Sequence, residues 1–276
     1  MTGNWIIDNL IHALNVWNSK LSEIWGLLTQ SPALFKGGIV WQIIVNIHGA
    51  LMATGLALLV LFFVVGLAKK CSSLTDIKKP EHALRLFIRF VLAKSIVTYG
   101  MDLLLAIFAI VQGIISTIIS NSNMGAGEMI LPDSIMAAIK SCNFFEAIPL
   151  WMVTFLGGLF ITVMSFTLIM TVYARFFKLY IYTALSPIPL AALASESTQS
   201  SGIAFLKSYT AACAEGAVIA IACVIYTAFA ASPSVLEGVS AVTMVWGYIA
   251  ELIFNMLVLV GTIKIADRIV KEMAAL

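Results

Sequence analysis

Residues 173–196 read Tyr-Ala-Arg-Phe-Phe-Lys-Leu-Tyr-Ile-Tyr-Thr-Ala-Leu-Ser-Pro-Ile-Pro-Leu-Ala-Ala-Leu-Ala-Ser-Glu. A long apolar run here meets two cations, Arg175 and Lys178, and then carries on through sixteen uncharged residues, Leu179 to Ala194. A helix needs about 20 apolar residues to cross the hydrocarbon core of a bilayer, so the run is short for a span. It is also broken. Pro187 and Pro189 each remove a backbone donor and fix a φ angle. Whether this piece crosses the membrane decides the topology of everything after it.

Composition settles the class. The 276 residues are 61% hydrophobic and 11% charged, against roughly 25% charged in a soluble domain. There is too little polar surface to wrap a globule, so the fold expected is all-α and polytopic in a membrane. The four cysteines form no C-x-x-C. Cys213 and Cys223 fall on one predicted helix, about 15 Å apart at 1.5 Å per residue, too far to bridge. The first 30 residues have no charged n-region, apolar h-region and small-residue cleavage site in succession, so no cleaved leader is expected.

Outward from the opening stretch, the hydropathy predicts five spans, at about 39–68, 96–120, 148–174, 209–231 and 241–265. Residues 1–32 stand apart from this membrane domain of 33–276. Within them Ile7, Leu10, Leu14, Trp17, Leu21, Ile24 and Leu28 alternate spacings of three and four, with Asn4, Asp8, Asn9, His12, Asn15, Asn18, Lys20 and Glu23 set between them. That is a helix with a narrow apolar seam. It reads either as an interfacial helix lying on the bilayer or as a seam, centred on Leu10, Leu14, Trp17 and Leu21, that packs against a partner or copies of itself. Residues 81–94 form a basic amphipathic lead-in to the second span. Leu131-Pro132-Asp133-Ser134 predicts the start of a short loop helix, 133–145. In the fourth span Ala212, Gly216 and Ala220 form a ladder of small residues that lets helices approach closely.

The positive-inside rule arbitrates the opening question. If residues 179–194 do not cross, thirteen of the sixteen Lys and Arg lie on one side, and only Lys20, Lys36 and Lys140 lie on the other. If they do cross, the split is nine to seven. Five spans are therefore expected, with the N-terminal helix outside and the C-terminus in the cytoplasm. The proline stretch becomes an interfacial or re-entrant element on the cytoplasmic side, where irregular backbone must be buried in protein or meet water. Under this topology Cys71 is inside, Cys142 outside and the other two in the bilayer, so no intrachain disulfide is expected.

Motifs for chemistry are absent: no phosphate-binding G-x-x-x-x-G-K-[ST], no H-E-x-x-H, no G-x-S-x-G, and no His-carboxylate metal spacing. No enzyme, metal or cofactor is expected. What remains are ionisable groups at membrane depth: Asp102, Glu215, Glu251 and, near a span end, His48. Each carboxylate costs about 2.5–3.5 kcal/mol at the bilayer centre on insertion scales, so each should face the bundle interior or water. They read as structural hydrogen-bonding groups, as the lining of a lumen, or as an ion relay. Arg175, Lys178, Pro187, Pro189 and Lys207 mark the cytoplasmic-side segment as a place for anionic lipid or a cytoplasmic partner.

The segment from Arg175 through Ser186-Pro187-Ile188-Pro189, with Ala204-Phe-Leu-Lys-Ser-Tyr and Gly216-Ala-Val-Ile-Ala-Ile-Ala-Cys-Val-Ile-Tyr, resembles the TrbL-like conjugal transfer proteins, polytopic inner-membrane subunits of type IV secretion systems. The close resemblance covers about 175–226, and the chain is similar to the form found in conjugative elements of Gram-positive bacteria. It implies a structural subunit of the cell-membrane platform that builds a pilus or channel and passes DNA and protein between cells. It implies homo-oligomers, ring-like in form, beside cytoplasmic ATPases, pilin and other secretion subunits. Whether DNA touches this subunit is left open. Many members carry a large extra domain, and no counterpart of it is expected within these 276 residues. The competing reading is an ion or small-solute transporter built on the intramembrane acids.

Overall fold

The computed structural model describes residues 5–71, 80–121, 128–230 and 239–275. The side chain of Lys70, together with Lys78, Lys79, residues 122–127 of the loop after the second span and the turn at 231–238, lies outside the described residues. The described chain is helical: α1 Trp5–Thr29, α2 Ile39–Cys71, α3 Pro80–Thr98, α4 Gly100–Asn121, α5 Asp133–Ser141, α6 Phe144–Leu185, α7 Pro187–Ala191, α8 Gln199–Ala230, α9 Ala241–Lys264 and α10 Ala266–Met273. Five helices are long and apolar enough to cross a membrane, over Phe35–Lys69, Gly100–Asn121, Ala147–Leu185, Gln199–Ala230 and Ala241–Lys264. The protein is thus an all-α, multi-pass membrane protein.

Three boundaries differ from the sequence reading. The basic lead-in is a helix of its own, α3, and α4 starts only at Gly100. A Cβ at Gly100 would stand 2.8 Å from Leu190, so the absent side chain makes room there. The loop helix stops at Ser141, with Ile135 and Ile139 buried and Phe145 exposed on α6. The third span does not end before Arg175; α6 runs 42 residues to Leu185. At 1.5 Å per residue that is about 63 Å, twice a hydrocarbon core of about 30 Å. It can continue because both cations find partners inside the fold.

Compactness divides the chain into two units, which several helices enter in turn. The first holds Met1–Thr29, Ile115–Ala174 and Gly216–Ala266. Here the seam of α1 is buried without remainder: Ile7, Leu10, Leu14, Trp17, Leu21, Ile24 and Leu28 are at most 2% exposed. The helix is tied down by polar contacts along its length. Asn9 Nδ2 donates to the Thr154 carbonyl at 3.3 Å. Asn18 exchanges two hydrogen bonds with the backbone of Met129, each 3.0 Å. The Tyr173 hydroxyl donates to Glu23 at 2.7 Å. Trp17 meets Tyr226 edge-on at 5.8 Å, and Trp5 stacks on Trp151 at 5.3 Å. The seam is therefore covered within this chain, with Trp17 against α8 and flanking residues of α1 tied to α6. It is neither a free interfacial stripe nor an exposed oligomer seam, and residues 1–32 do not form a body apart.

The second unit holds Gln30–Ile114, Arg175–Glu215 and Asp267–Leu276. Its core joins Leu59 of α2, Ala93 and Val97 of α3, and Leu190, Ala191 and Ala194 from the proline segment. The turn entering α2 puts Lys36, Gly37 and Gly38 at φ of 51°, 72° and 78°. That left-handed backbone suits glycine and strains the lysine.

Candidate functional site

The second unit is organised by Pro187. In an uninterrupted helix the N–H of residue 187 would bond the carbonyl of Thr183, but proline has no N–H. Ser186 keeps a helical φ/ψ, and Pro187 then occupies the first position of α7, where a missing donor does no harm. The carbonyl of Thr183 is left to other donors. Ser186 supplies its hydroxyl at 2.9 Å, and His48 of α2 places Nδ1 3.0 Å away. Nδ1 also lies 3.2 Å from the Ser186 hydroxyl; a carbonyl only accepts, so the bond to Thr183 belongs to the tautomer with the proton on Nδ1. His48 is buried, and its Nε2 has no partner.

The proline segment is seated in a socket that glycines create. A Cβ at Gly55 would stand 2.7 Å from the Pro187 carbonyl oxygen, and one at Gly202 would stand 2.7 Å from the Leu193 side chain. At Gly66 it would collide with the Ser195 hydroxyl. Ser186, Pro187, Leu190, Ala191, Ala192 and Ala194 are buried. Pro189 is half-buried, and Glu196 and Ser197 are exposed. The segment read as a partner-facing surface is thus mostly interior, because α2 and α3 close over it.

About two to three turns before the kink, α6 delivers its two cations in opposite ways. Arg175 is buried, 2% exposed. Its Nε donates to the Ala212 carbonyl at 3.4 Å and its Nη2 to the Cys213 carbonyl at 3.2 Å. Its guanidinium carbon lies 5.9 Å from the ring centres of both Phe108 and Phe176. The third nitrogen, Nη1, has no partner. Ala212, Gly216 and Ala220 are all buried, and their small side chains leave the α8 backbone reachable. Arg175 is therefore not a surface group for lipid or partner; its charge is spread over carbonyl dipoles and aromatic faces.

Lys178 reaches a different set. It pairs with Glu215 of α8 at 3.5 Å and with Asp267 of α10. Asp267 in turn takes Lys271 at 2.9 Å. Glu215, Lys178, Asp267 and Lys271 make a chain of alternating charge that joins three helices. Partial burial pushes the Asp267 carboxyl up, but the hydrogen bonds and charges of Lys178 and Lys271 outweigh it and hold it below the usual carboxylate range. The same bond raises the Lys271 ammonium. Asp267 and Lys271 were legible in the sequence only as a charged tail. Their i, i+4 spacing on a helix with Ala266 and Val270 buried was the available signal.

The remaining predicted residues separate. Asp102 is exposed in the first turn of α4, near the end of that span rather than inside it. Glu251 is half-buried on α9 in the first unit, a turn from the buried Tyr248. Lys207 is exposed on α8. An ion pair that the sequence did not single out also appears: Arg89 of α3 meets Glu196 at 3.1 Å and donates to the Leu193 carbonyl at 3.4 Å and to the Gln199 amide oxygen, pinning the turn after α7. Among the described residues no group of three His, Cys, Asp or Glu could hold a metal ion.

A family model described as TrbL/VirB6 plasmid conjugal transfer like protein matches residues 17–187. The match runs from the middle of α1 to Pro187, whereas the stretch that carries the resemblance in sequence overlaps it only over 175–187. No curated protein and no solved structure matches the chain.

Proposed function

Because the chain belongs to the TrbL/VirB6 plasmid conjugal transfer-like family, and so is a component of conjugal transfer by type IV secretion, we propose that it is a structural subunit of the membrane platform. In this reading it forms a homo-oligomer in the cell membrane and supports pilus or channel biogenesis and the passage of DNA and protein. It works beside secretion ATPases, pilin and other subunits. The N-terminal helix lies outside and α10 in the cytoplasm, as the charge bias argues.

The observation that carries the reading is the family match over 17–187. The side-chain chemistry supports it. Glu215, the acid placed deepest beside the small-residue ladder, is already met by Lys178, so it ties helices together instead of standing ready to carry an ion. The homo-oligomer must use surface other than the α1 seam, which the subunit itself buries.

Deleting the gene from a donor cell that carries the conjugative element should abolish transfer, and supplying the intact gene in trans should restore it. Transfer at the wild-type frequency without the gene would overturn the reading. Native mass spectrometry of detergent-solubilised protein tests the oligomer: a monomer at every concentration would remove it.

A further inference from the structure

We propose that the exposed aromatic stack of Trp151, Phe155 and Trp5 is an anchor that seats in the headgroup–acyl boundary of the bilayer and fixes the depth of the first unit. The proposal concerns that unit alone and does not rest on the secretion reading.

One face of α6 is left uncovered by the protein. Trp151, Phe155, Leu159, Phe166 and Met170 fall on it at spacings of four and seven, and each is at least 43% exposed. Behind them Thr154, Ile161, Ser165 and Leu168 are fully buried. In a helix apolar enough to cross a membrane, that open apolar face is the one that meets lipid. The stack stands at its amino-terminal end. Trp5 of α1 lies on Trp151 at 5.3 Å, and Trp151 lies on Phe155 at 5.8 Å with ring planes 9° apart. Trp5 and Trp151 still keep 52% and 43% of their surface open.

Chemistry separates the two indoles from the hydrocarbon-facing side chains beyond them. Among the described residues neither indole N–H has a hydrogen-bond partner. A bare N–H is costly in hydrocarbon, whereas at the boundary it finds ester and phosphate oxygens. An apolar ring open to lipid that also carries a free donor suits that boundary and neither side of it.

The register of α6 agrees. Exposed polar residues, Ser141 and Asn143, precede the stack. About 20 residues cross a hydrocarbon core of about 30 Å. Counted on from Trp151, that length reaches Thr171, just short of the first cations of the helix, Arg175 and Lys178. The uncharged run of α6 therefore fits one hydrocarbon core when it starts at the stack. Through Trp5 the first turn of α1 is held at the same depth. The anchor is indifferent to which leaflet this is.

The full chain is reconstituted in phosphatidylcholine vesicles that carry a nitroxide either on the headgroup or near the acyl-chain end. Tryptophan emission is compared between wild type and the double variant Trp5→Phe, Trp151→Phe. Phe keeps an aromatic ring at each position, so the difference between the two proteins is the emission of Trp5 and Trp151. The headgroup nitroxide should quench that difference about twofold more than the chain-end nitroxide. Stronger quenching by the chain-end nitroxide would put the rings in the core. Quenching by aqueous iodide alone would put them in water. Quenching by none of the three would mean that protein, such as a second copy, covers them. Each of these overturns the proposal. A second arm needs no substitution. Wild type is labelled with photoactivatable phosphatidylcholines that react from the headgroup or from the chain end, and the adducts are mapped by mass spectrometry. The headgroup probe should mark residues around Trp151, and the chain-end probe residues around Leu159 and Val163. The reverse order, or equal labelling of both places by both probes, overturns the proposal as well.

Discussion

Arg175 shows how far a residue's environment can depart from what its charge suggests. A guanidinium with two carbonyl partners, two aromatic faces and one unpartnered nitrogen is held by packing as much as by charge. Arg175→Ala should therefore lower unfolding stability in detergent by roughly 2–4 kcal/mol, through the cavity left between Phe108 and Phe176. Arg175→Met, which fills the volume without a buried charge, should lose less than about 1.5 kcal/mol. Equal losses for the two would mean that charge, not volume, is what the site needs. Asp267 carries the pH dependence. Its folded pKa is depressed, so its contribution is present above the unfolded value of about 3.9 and is lost as pH falls through the folded value. Protection of α10 against hydrogen exchange should hold near neutral pH and fall below about pH 4. Asp267→Asn should show the loss at neutral pH as well. Because Asp267 is 37% exposed, solvent screens the pair and the effect should stay under about 1 kcal/mol.

At the scale of elements, the α6–α7 kink couples a proline to a histidine far away in sequence. His48→Ala should cost about 1–2 kcal/mol, since it strips a donor from the Thr183 carbonyl. Pro187→Ala restores an N–H that can serve the same carbonyl. The two changes should therefore be non-additive, with the double variant losing less than the sum of the singles. Additive losses in a double-mutant cycle would separate His48 from the kink. The glycine socket makes its own prediction, with a control in the same helix. Gly55→Ala sets a methyl 2.7 Å from backbone of Pro187 and should destabilise by about 1–3 kcal/mol. Gly49→Ala meets nothing within 4 Å and should be neutral or stabilising by up to about 1 kcal/mol.

For the whole molecule, orientation is tested by labelling. Ser186 is fully buried, so a cysteine there would not report topology. Ser197 is exposed on the turn after α7 and is the better probe. With the native cysteines replaced, Ser197→Cys should react with an impermeant reagent only from the cytoplasmic face. Reaction from outside would reverse the topology that the charge count proposes. The division into two units also recasts the N-terminal helix, which is one of the walls of a compact unit and no separate appendage.

Local chemistry determined a great deal by itself. Sixty-one percent apolar residues require a membrane or a partner, long runs of high hydropathy with few charges set the five spans, and the spacing of Leu10, Leu14, Trp17 and Leu21 defined an apolar stripe. These follow from period and hydropathy, which need no knowledge of neighbours. Pro187 and Pro189 likewise had to interrupt a helix, because proline carries no backbone donor. Only the tertiary structure decided what met these features. Hydropathy cannot say whether an apolar seam is covered by lipid, a copy or the chain's own spans. Lone charges cannot reveal that Arg175 is buried while Lys178, three residues on, links Glu215 to Asp267. Those pairings join residues 37 and 89 positions apart. They exist because the chain turns back at the proline kink and brings α6, α8 and α10 together. The stretch 173–196 marks the turn in sequence; its partners are supplied by helices on either side of it.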